Sequence, residues 1–128
     1  MAAAGLKDTV NNLVLIYPAL CIPDNWSERY KTVEEIPDTS HFWGVSLGKR
    51  FFQELRNLDV YGTISAYKGP VRIIHGSEDP VVPLSYSENA VKRYDKAHLE
   101  VIQGAGHGFS PEEIIISNKF VKEFLEGR

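Results

Sequence analysis

The chain has 128 residues, of which 43% are hydrophobic and 24% are charged, and its formal net charge is −3. These values are typical of one soluble globular domain, and without a basic stripe we expect no nucleic acid partner. The single cysteine, Cys21, excludes an internal disulfide, and the N-terminal residues are too weakly apolar for a signal peptide, so the sequence predicts a cytoplasmic protein with no membrane partner.

Three short apolar runs predict the strands of a parallel sheet. Leu13 to Tyr17 is apolar on both faces, as a strand covered by helices on both sides should be. The second and third runs are Val71 to Ile74 and His98 to Ile102, and a helix is predicted between them, from Ser85 to about Tyr94. The order strand, helix, strand, helix predicts a right-handed parallel α/β arrangement.

A long insertion, residues 19–67, separates the first two predicted strands. Ala19 to Thr39 is predicted to be irregular, and Lys49 to Leu58 is the best helical stretch. An insertion of this length between two strands indicates a cap or lid. Its aromatic side chains are expected mainly to form a small cap core, with Trp26 and Trp43 as the candidates for substrate contact.

Two capping boxes predict where helices begin near the C-terminal end. Ser85 and Glu88 form the first, and Ser110 and Glu113 form the second. The second is the stronger because Pro111 stands at the first helical position, where its missing N–H is no loss. The last helix is therefore predicted to begin at Ser110.

Asp79 and His107 are the candidate catalytic residues, because each follows a predicted strand by a few positions. The carboxyl ends of parallel strands meet at one edge of the sheet, where reactive groups gather. His107 stands between two glycines, which leave its imidazole unobstructed, and a histidine so placed can exchange a proton with a nucleophile. A carboxylate at Asp79 would orient that imidazole and set its tautomer.

Other residues compete for these roles. Glu78 is the rival acid, but Pro80 favours an extended conformation at Asp79 and a defined turn after it. His75 closes a buried strand and is interpreted as a packed core residue with hydrogen bonds. We expect no metal site at His75, Asp79 and His107, because no histidine or cysteine spacing typical of metal ligands supports one.

Two segments of the chain resemble the C-terminal half of the α/β-hydrolases. These are His-Gly-x-x-Asp-x-x-Val-Pro, from His75 to Pro83, and Gly-x-Gly-His-Gly-Phe, from Gly104 to Phe109. The resemblance covers the whole chain and is nearest to bacterial cinnamoyl or feruloyl esterases. It implies an α/β fold, namely the C-terminal part of an α/β-hydrolase sheet, with three parallel strands and a cap insertion between the first and second.

The resemblance also implies a serine esterase without a cofactor, in which Asp79 and His107 belong to a catalytic triad. No Gly-x-Ser-x-Gly motif is present, so the nucleophilic serine and the oxyanion-hole amides are expected outside these residues. The expected partners are a small-molecule ester and either a missing N-terminal half or a second copy at an exposed sheet edge. Peptidase or thioesterase activity on the same fold, or a non-catalytic assembly or binding module, are the alternatives.

Overall fold

A computed structural model describes residues 2–127 of the chain, so Met1 and Arg128 lie outside the described residues. The elements in chain order are α1 (Ala2–Gly5), β1 (Leu13–Ile16), α2 (Ile22–Arg29), β2 (Thr39–Phe42), β3 (Val45–Gly48), α3 (Lys49–Arg56), α4 (Val60–Ile64), β4 (Val71–Gly76), α5 (Leu84–Val91), β5 (Ala97–Ile102) and α6 (Pro111–Leu125).

These elements form two compact units. Among the described residues, the first unit contains 2–20 and 60–127, and the second contains 21–59. The second unit lies inside the predicted insertion, residues 19–67, whose role as a cap or lid stays a prediction.

The first unit is built on a three-stranded sheet in the order β1-β4-β5. Both pairings are parallel, with Leu13 opposite Val71 and Val71 opposite Ala97. This confirms the predicted parallel sheet. The central strand β4 is almost entirely buried, whereas β1 at the outer position is only partly buried. The difference follows from the strand order, because only β4 has a strand on each side.

Helices cover both faces of this sheet. Ile73 packs on one face with Ile64, Tyr67 and Ala90, which belong to α4, the turn after it and α5. Ile74 points to the opposite face, where Phe120 and other side chains of α6 cover it. Successive residues of β4 therefore enter two different cores, which explains why this strand is apolar without alternation.

The two predicted capping boxes have different outcomes. The Ser110 box is confirmed: the Ser110 side chain accepts from the N–H of Glu113, and the Glu113 carboxylate accepts from the N–H of Ser110 at 2.7 Å. The Ser85 box is wrong, because α5 begins one residue earlier, with Pro83 as its N-cap and no side-chain capping bond. No helix within residues 2–127 is both long and apolar enough to cross a lipid bilayer.

The second unit contains α2, a hairpin of β2 and β3, and α3. The predicted irregular stretch was wrong over Ile22–Arg29, which is α2, and the antiparallel hairpin was not predicted. Trp26 packs edge-on against Phe42 and Phe52, with ring centroids 4.8 Å apart in both pairs. These contacts place Trp26 in the small aromatic core of this unit. Trp43, at the hairpin turn, is fully exposed, with a fractional exposure of 101%.

Candidate active site

The candidate active site lies in the first unit, where the loops after β4 and β5 meet. Gly76 at the end of β4 is the register partner of Ile102 at the end of β5. Asp79 follows the first of these strand ends and His107 follows the second. The parallel register therefore brings together two residues that are 28 positions apart in the chain.

Hydrogen bonds join these two loops directly. The N–H of Ser77 donates to the carbonyl of Ile102 at 3.0 Å, and the N–H of Glu78 donates to the carbonyl of Ala105 at 2.9 Å. The Ser77 hydroxyl in turn accepts from the N–H of Gly104 at 2.8 Å. The loop that carries the acid and the loop that carries the histidine are thus held as one structure.

The Asp79 carboxylate meets the His107 imidazole at the centre of this structure. Nδ1 of His107 donates to Oδ2 of Asp79 at 2.8 Å, and the Asp79 side chain is fully buried. The His107 side chain is 32% exposed, and with Nδ1 engaged its Nε2 is the nitrogen available for proton exchange. Glu78, the competing acid in the sequence, is exposed.

The surroundings of Asp79 keep its carboxyl group ionised. Burial by itself raises the pKa of this carboxyl, but the N–H of Val82, the imidazole of His107 and the N–H of Val81 all donate to it and hold its pKa below the usual value. A depressed pKa means that the ionised form stabilises the fold above the ordinary carboxyl pKa. This stabilisation is lost as the pH falls through the folded-state pKa.

Tyr17 also lies in the candidate site, next to His107, although the sequence did not predict it there. It was assigned to the first strand, but β1 ends at Ile16 and Tyr17 takes a positive φ of 35°. Its ring packs on the His107 imidazole, with centroids 4.7 Å apart, and edge-on against Phe109 at 4.9 Å. A non-glycine residue with positive φ directly before a proline is costly, and such strain clusters at functional sites. Nothing in the local sequence signals this conformation.

The positive φ of Tyr17 predicts an unusual order of stability for the glycine and alanine variants at this position. Glycine adopts a positive φ without steric cost, whereas alanine does not. We therefore expect the Tyr17→Gly variant to be more stable than Tyr17→Ala by about 1 kcal/mol in urea unfolding, the reverse of the order in a regular strand. An alanine variant as stable as the glycine variant would show that the backbone here is not strained.

The remaining candidate residues are His75, His98 and the two tryptophans. His75 is completely buried and hydrogen-bonded, as interpreted from the sequence. The exposed His98 faces Glu100 at 3.4 Å. Trp26 and Trp43 belong to the second unit, and their substrate contact stays a prediction. Among residues 2–127, no group of three or more His, Cys, Asp or Glu side chains is arranged to hold a metal ion.

Comparison with solved structures decides the fold. The alpha/beta hydrolase domain-containing protein 10 from mouse matches with a TM-score of 0.70 at 18% identity, over 98% of this chain and 56% of the mouse chain. This chain has the α/β-hydrolase fold. Est1E from Butyrivibrio proteoclasticus matches this fold with a TM-score of 0.82 at 26% identity, over 98% of this chain and 54% of Est1E, and a structure of Est1E with bound ferulic acid matches equally well.

A comparison by sequence finds a protein named as a hydrolase. RutD of Caulobacter sp. (strain K31), named for carbamate hydrolysis, is 27% identical over an alignment of 128 positions that covers 97% of this chain and 48% of RutD. The chain thus spans about half the length of the curated relative that it matches. No protein-family model matches the chain.

Three serines in the first unit have hydrogen-bond partners other than His107. Ser77 accepts from Gly104, Ser87 is fully buried against His75, and Ser110 caps α6. The described residues thus bring the His107 imidazole and the Asp79 carboxylate together, and none of the hydrogen bonds described for His107 involves a serine hydroxyl.

Proposed function

We propose that this chain supplies the general base and the orienting acid of a serine hydrolase, and that the complete enzyme cleaves carboxylic esters. The observation that carries the proposal is the 2.8 Å bond from His107 to the buried Asp79, which leaves Nε2 of a partly exposed imidazole available. In this proposal the chain corresponds to the C-terminal half of the enzyme. The nucleophilic serine and the oxyanion-hole amides come from outside these 128 residues.

The proposed reaction proceeds through an acyl-enzyme. The serine oxygen attacks the ester carbonyl carbon while its proton passes to Nε2 of His107, and the tetrahedral intermediate collapses as Nε2 returns the proton to the departing alcohol. A water molecule then attacks the acyl carbon by the same route, which releases the acid and the free serine. Asp79 remains ionised throughout and stabilises the imidazolium that forms twice in the cycle.

Esters of aromatic acids are the proposed substrate class. The support is the likeness to Est1E, whose structure is known with ferulic acid bound. Carbamates are a second candidate, because RutD is named for their hydrolysis and a carbamate carbonyl would undergo the same attack. Comparing kcat/KM for a hydroxycinnamate ester and a carbamate with matched leaving groups distinguishes the two classes. The proposal places the enzyme in the cytoplasm, because a sequence with one cysteine forms no internal disulfide.

A serine-reactive fluorophosphonate probe tests where the nucleophile lies. We expect no labelling of the 128-residue chain, because a base and an acid without a serine and oxyanion donors supply little of the rate. A reading frame extended upstream to include a Gly-x-Ser-x-Gly motif should be labelled on the added serine. Stoichiometric labelling at a serine within the 128 residues would overturn the proposal.

The outer strand β1 is the proposed place where the rest of the enzyme pairs. It is apolar, lacks lysine and proline, and forms the end of the described three-stranded sheet. We expect the chain alone to self-associate at micromolar concentration in light scattering, and to become a defined complex when the missing half is added. A stable monomer of the chain alone would contradict an open edge at β1.

A further inference from the structure

His75 is a buried titratable group for which the proposed reaction has no use. It lies near the end of the central strand β4, and its side chain is completely buried. Burying an imidazole is costly unless its nitrogens have partners. Here Nδ1 lies 2.6 Å from the hydroxyl of Ser87, and Nε2 lies 2.9 Å from the carbonyl oxygen of Val82. Both nitrogens are therefore engaged.

The partners of His75 determine its tautomer. A carbonyl oxygen can only accept, so Nε2 must carry the proton that it donates to Val82. In the neutral ring Nδ1 is then an acceptor, and the hydroxyl of Ser87 donates to it. The same Nε2–H edge faces Oδ2 of Asp79 at a distance of 3.2 Å. The partly positive N–H of His75 thus faces Oδ2 of Asp79, the same oxygen that accepts the hydrogen bond from Nδ1 of His107.

Val82 connects His75 to the proposed acid a second time. Its N–H donates to Oδ1 of Asp79 at 2.8 Å, as does the N–H of Val81. His75 thus donates to the carbonyl oxygen of Val82, and the N–H of Val82 donates to Asp79. Two backbone N–H groups of its own loop therefore hold Oδ1 of the carboxylate, and Nε2 of His75 lies close to Oδ2. The remaining side of Oδ2 accepts the hydrogen bond from His107.

We propose that His75 is a positioning residue for Asp79 and, through it, for His107. This proposal rests on the proposed function, because it assigns His75 to the same reaction without contact to the substrate. With its proton on Nε2, His75 directs the Asp79 carboxylate toward Nδ1 of His107. Ser87 maintains that tautomer from the far side of the ring.

A spectroscopic measurement tests the proposal independently of activity. In the hydrolase that contains this chain, labelled with ¹⁵N-histidine, we expect His75 to carry a proton on Nε2 and to exchange that proton slowly. Replacing His75 with leucine should shift or broaden the Nδ1–H signal of His107, whereas the leucine variant of the exposed His98 should not. A His75 ring protonated on Nδ1 alone would overturn the proposal, since Nε2 could then donate to neither Val82 nor Asp79.

Kinetics of the same variants separate positioning from simple packing. His75→Leu should lower kcat about 10- to 100-fold with KM changed less than about twofold, because misplaced catalytic groups reduce turnover rather than binding. His75→Gln, which keeps an N–H donor, should recover most of the loss, and His98→Leu should leave kcat unchanged. A folded His75→Leu enzyme with unchanged kcat and an unchanged His107 signal would overturn the proposal.

The two measurements also distinguish this proposal from the proposed function. If no ester or carbamate is cleaved, the proposed function fails, while the tautomer of His75 and the response of the His107 signal still decide its positioning role. If the leucine variant does not fold, the tautomer in the unchanged protein and the glutamine variant decide it.

Discussion

Replacing His107 with alanine is expected to lower kcat of the complete hydrolase by about 10³-fold or more, with little change in KM. In the proposed mechanism, His107 takes the proton from the serine and returns it to the leaving alcohol, and alanine cannot do either. Substrate binding involves other contacts, so KM changes little. Steady-state kinetics of the complete enzyme with an ester substrate measure both quantities.

The Asp79→Asn variant should be as severe as the loss of His107. If the amide nitrogen occupies the position of Oδ2, it presents hydrogens to Nδ1 of His107, which lies 2.8 Å away and at present donates. The imidazole must then carry its proton on Nε2, the wrong tautomer for a base. The same amide would also face the N–H edge of His75 at 3.2 Å, as a second donor.

Glu78→Gln is the matched control for Asp79→Asn. It makes the same chemical change one residue earlier, on an exposed side chain. We expect kcat within about twofold of the unchanged enzyme, since exposed substitutions away from a site have small effects. A severe Glu78→Gln variant beside a mild Asp79→Asn variant would show that the acid is assigned to the wrong residue.

Replacing Gly76 with alanine is expected to cost about 3 kcal/mol of stability, the upper end of what overpacking costs, and most of the activity. A Cβ built at Gly76 would lie 2.2 Å from the carbonyl oxygen and 2.6 Å from the carbonyl carbon of Ala105. Both atoms are backbone, so they cannot turn away as a side chain would. The loop that carries His107 would have to move.

Gly106→Ala is the control for this effect. A Cβ at Gly106 meets nothing nearer than the Pro80 ring at 3.9 Å, and Gly106 has no positive φ. We expect its urea unfolding midpoint to stay close to that of the unchanged protein, while the midpoint of Gly76→Ala falls. Equal midpoints for the two variants would mean that the close approach of Gly76 to Ala105 does not constrain the loops.

Local sequence patterns were sufficient for the sheet and for the candidate pair. Runs rich in apolar side chains predicted the three strands of the parallel sheet, because a strand covered on both faces buries most of its side chains. Asp79 and His107 each follow one of those strands by a few positions, so the sequence predicted that they share one edge of the sheet. The sequence also predicted the Ser110 capping box correctly, because both of its partners lie within one turn of helix.

The second unit shows where local patterns fail. The hairpin of β2 and β3 turns at Trp43 and Gly44, both with positive φ. Its strands lack the usual β-branched alternation, and tryptophan is not a turn residue that predicts such a hairpin. The predicted Ser85 capping box was also wrong, because the helix begins before it. Pro83 moved the start of α5 to Leu84, so the two box residues fell inside the helix.

By itself, the sequence placed the candidate residues, an aspartate and a histidine, at the ends of neighbouring parallel strands. Only the tertiary structure decided that Asp79 rather than Glu78 meets His107, that Tyr17 packs on the imidazole, and that His75 faces the carboxylate. The physical reason is the distance along the chain between the residues that make each contact. A strand or a helix cap depends on side chains a few positions apart, whereas these contacts join separate strands and depend on sheet register and close backbone packing.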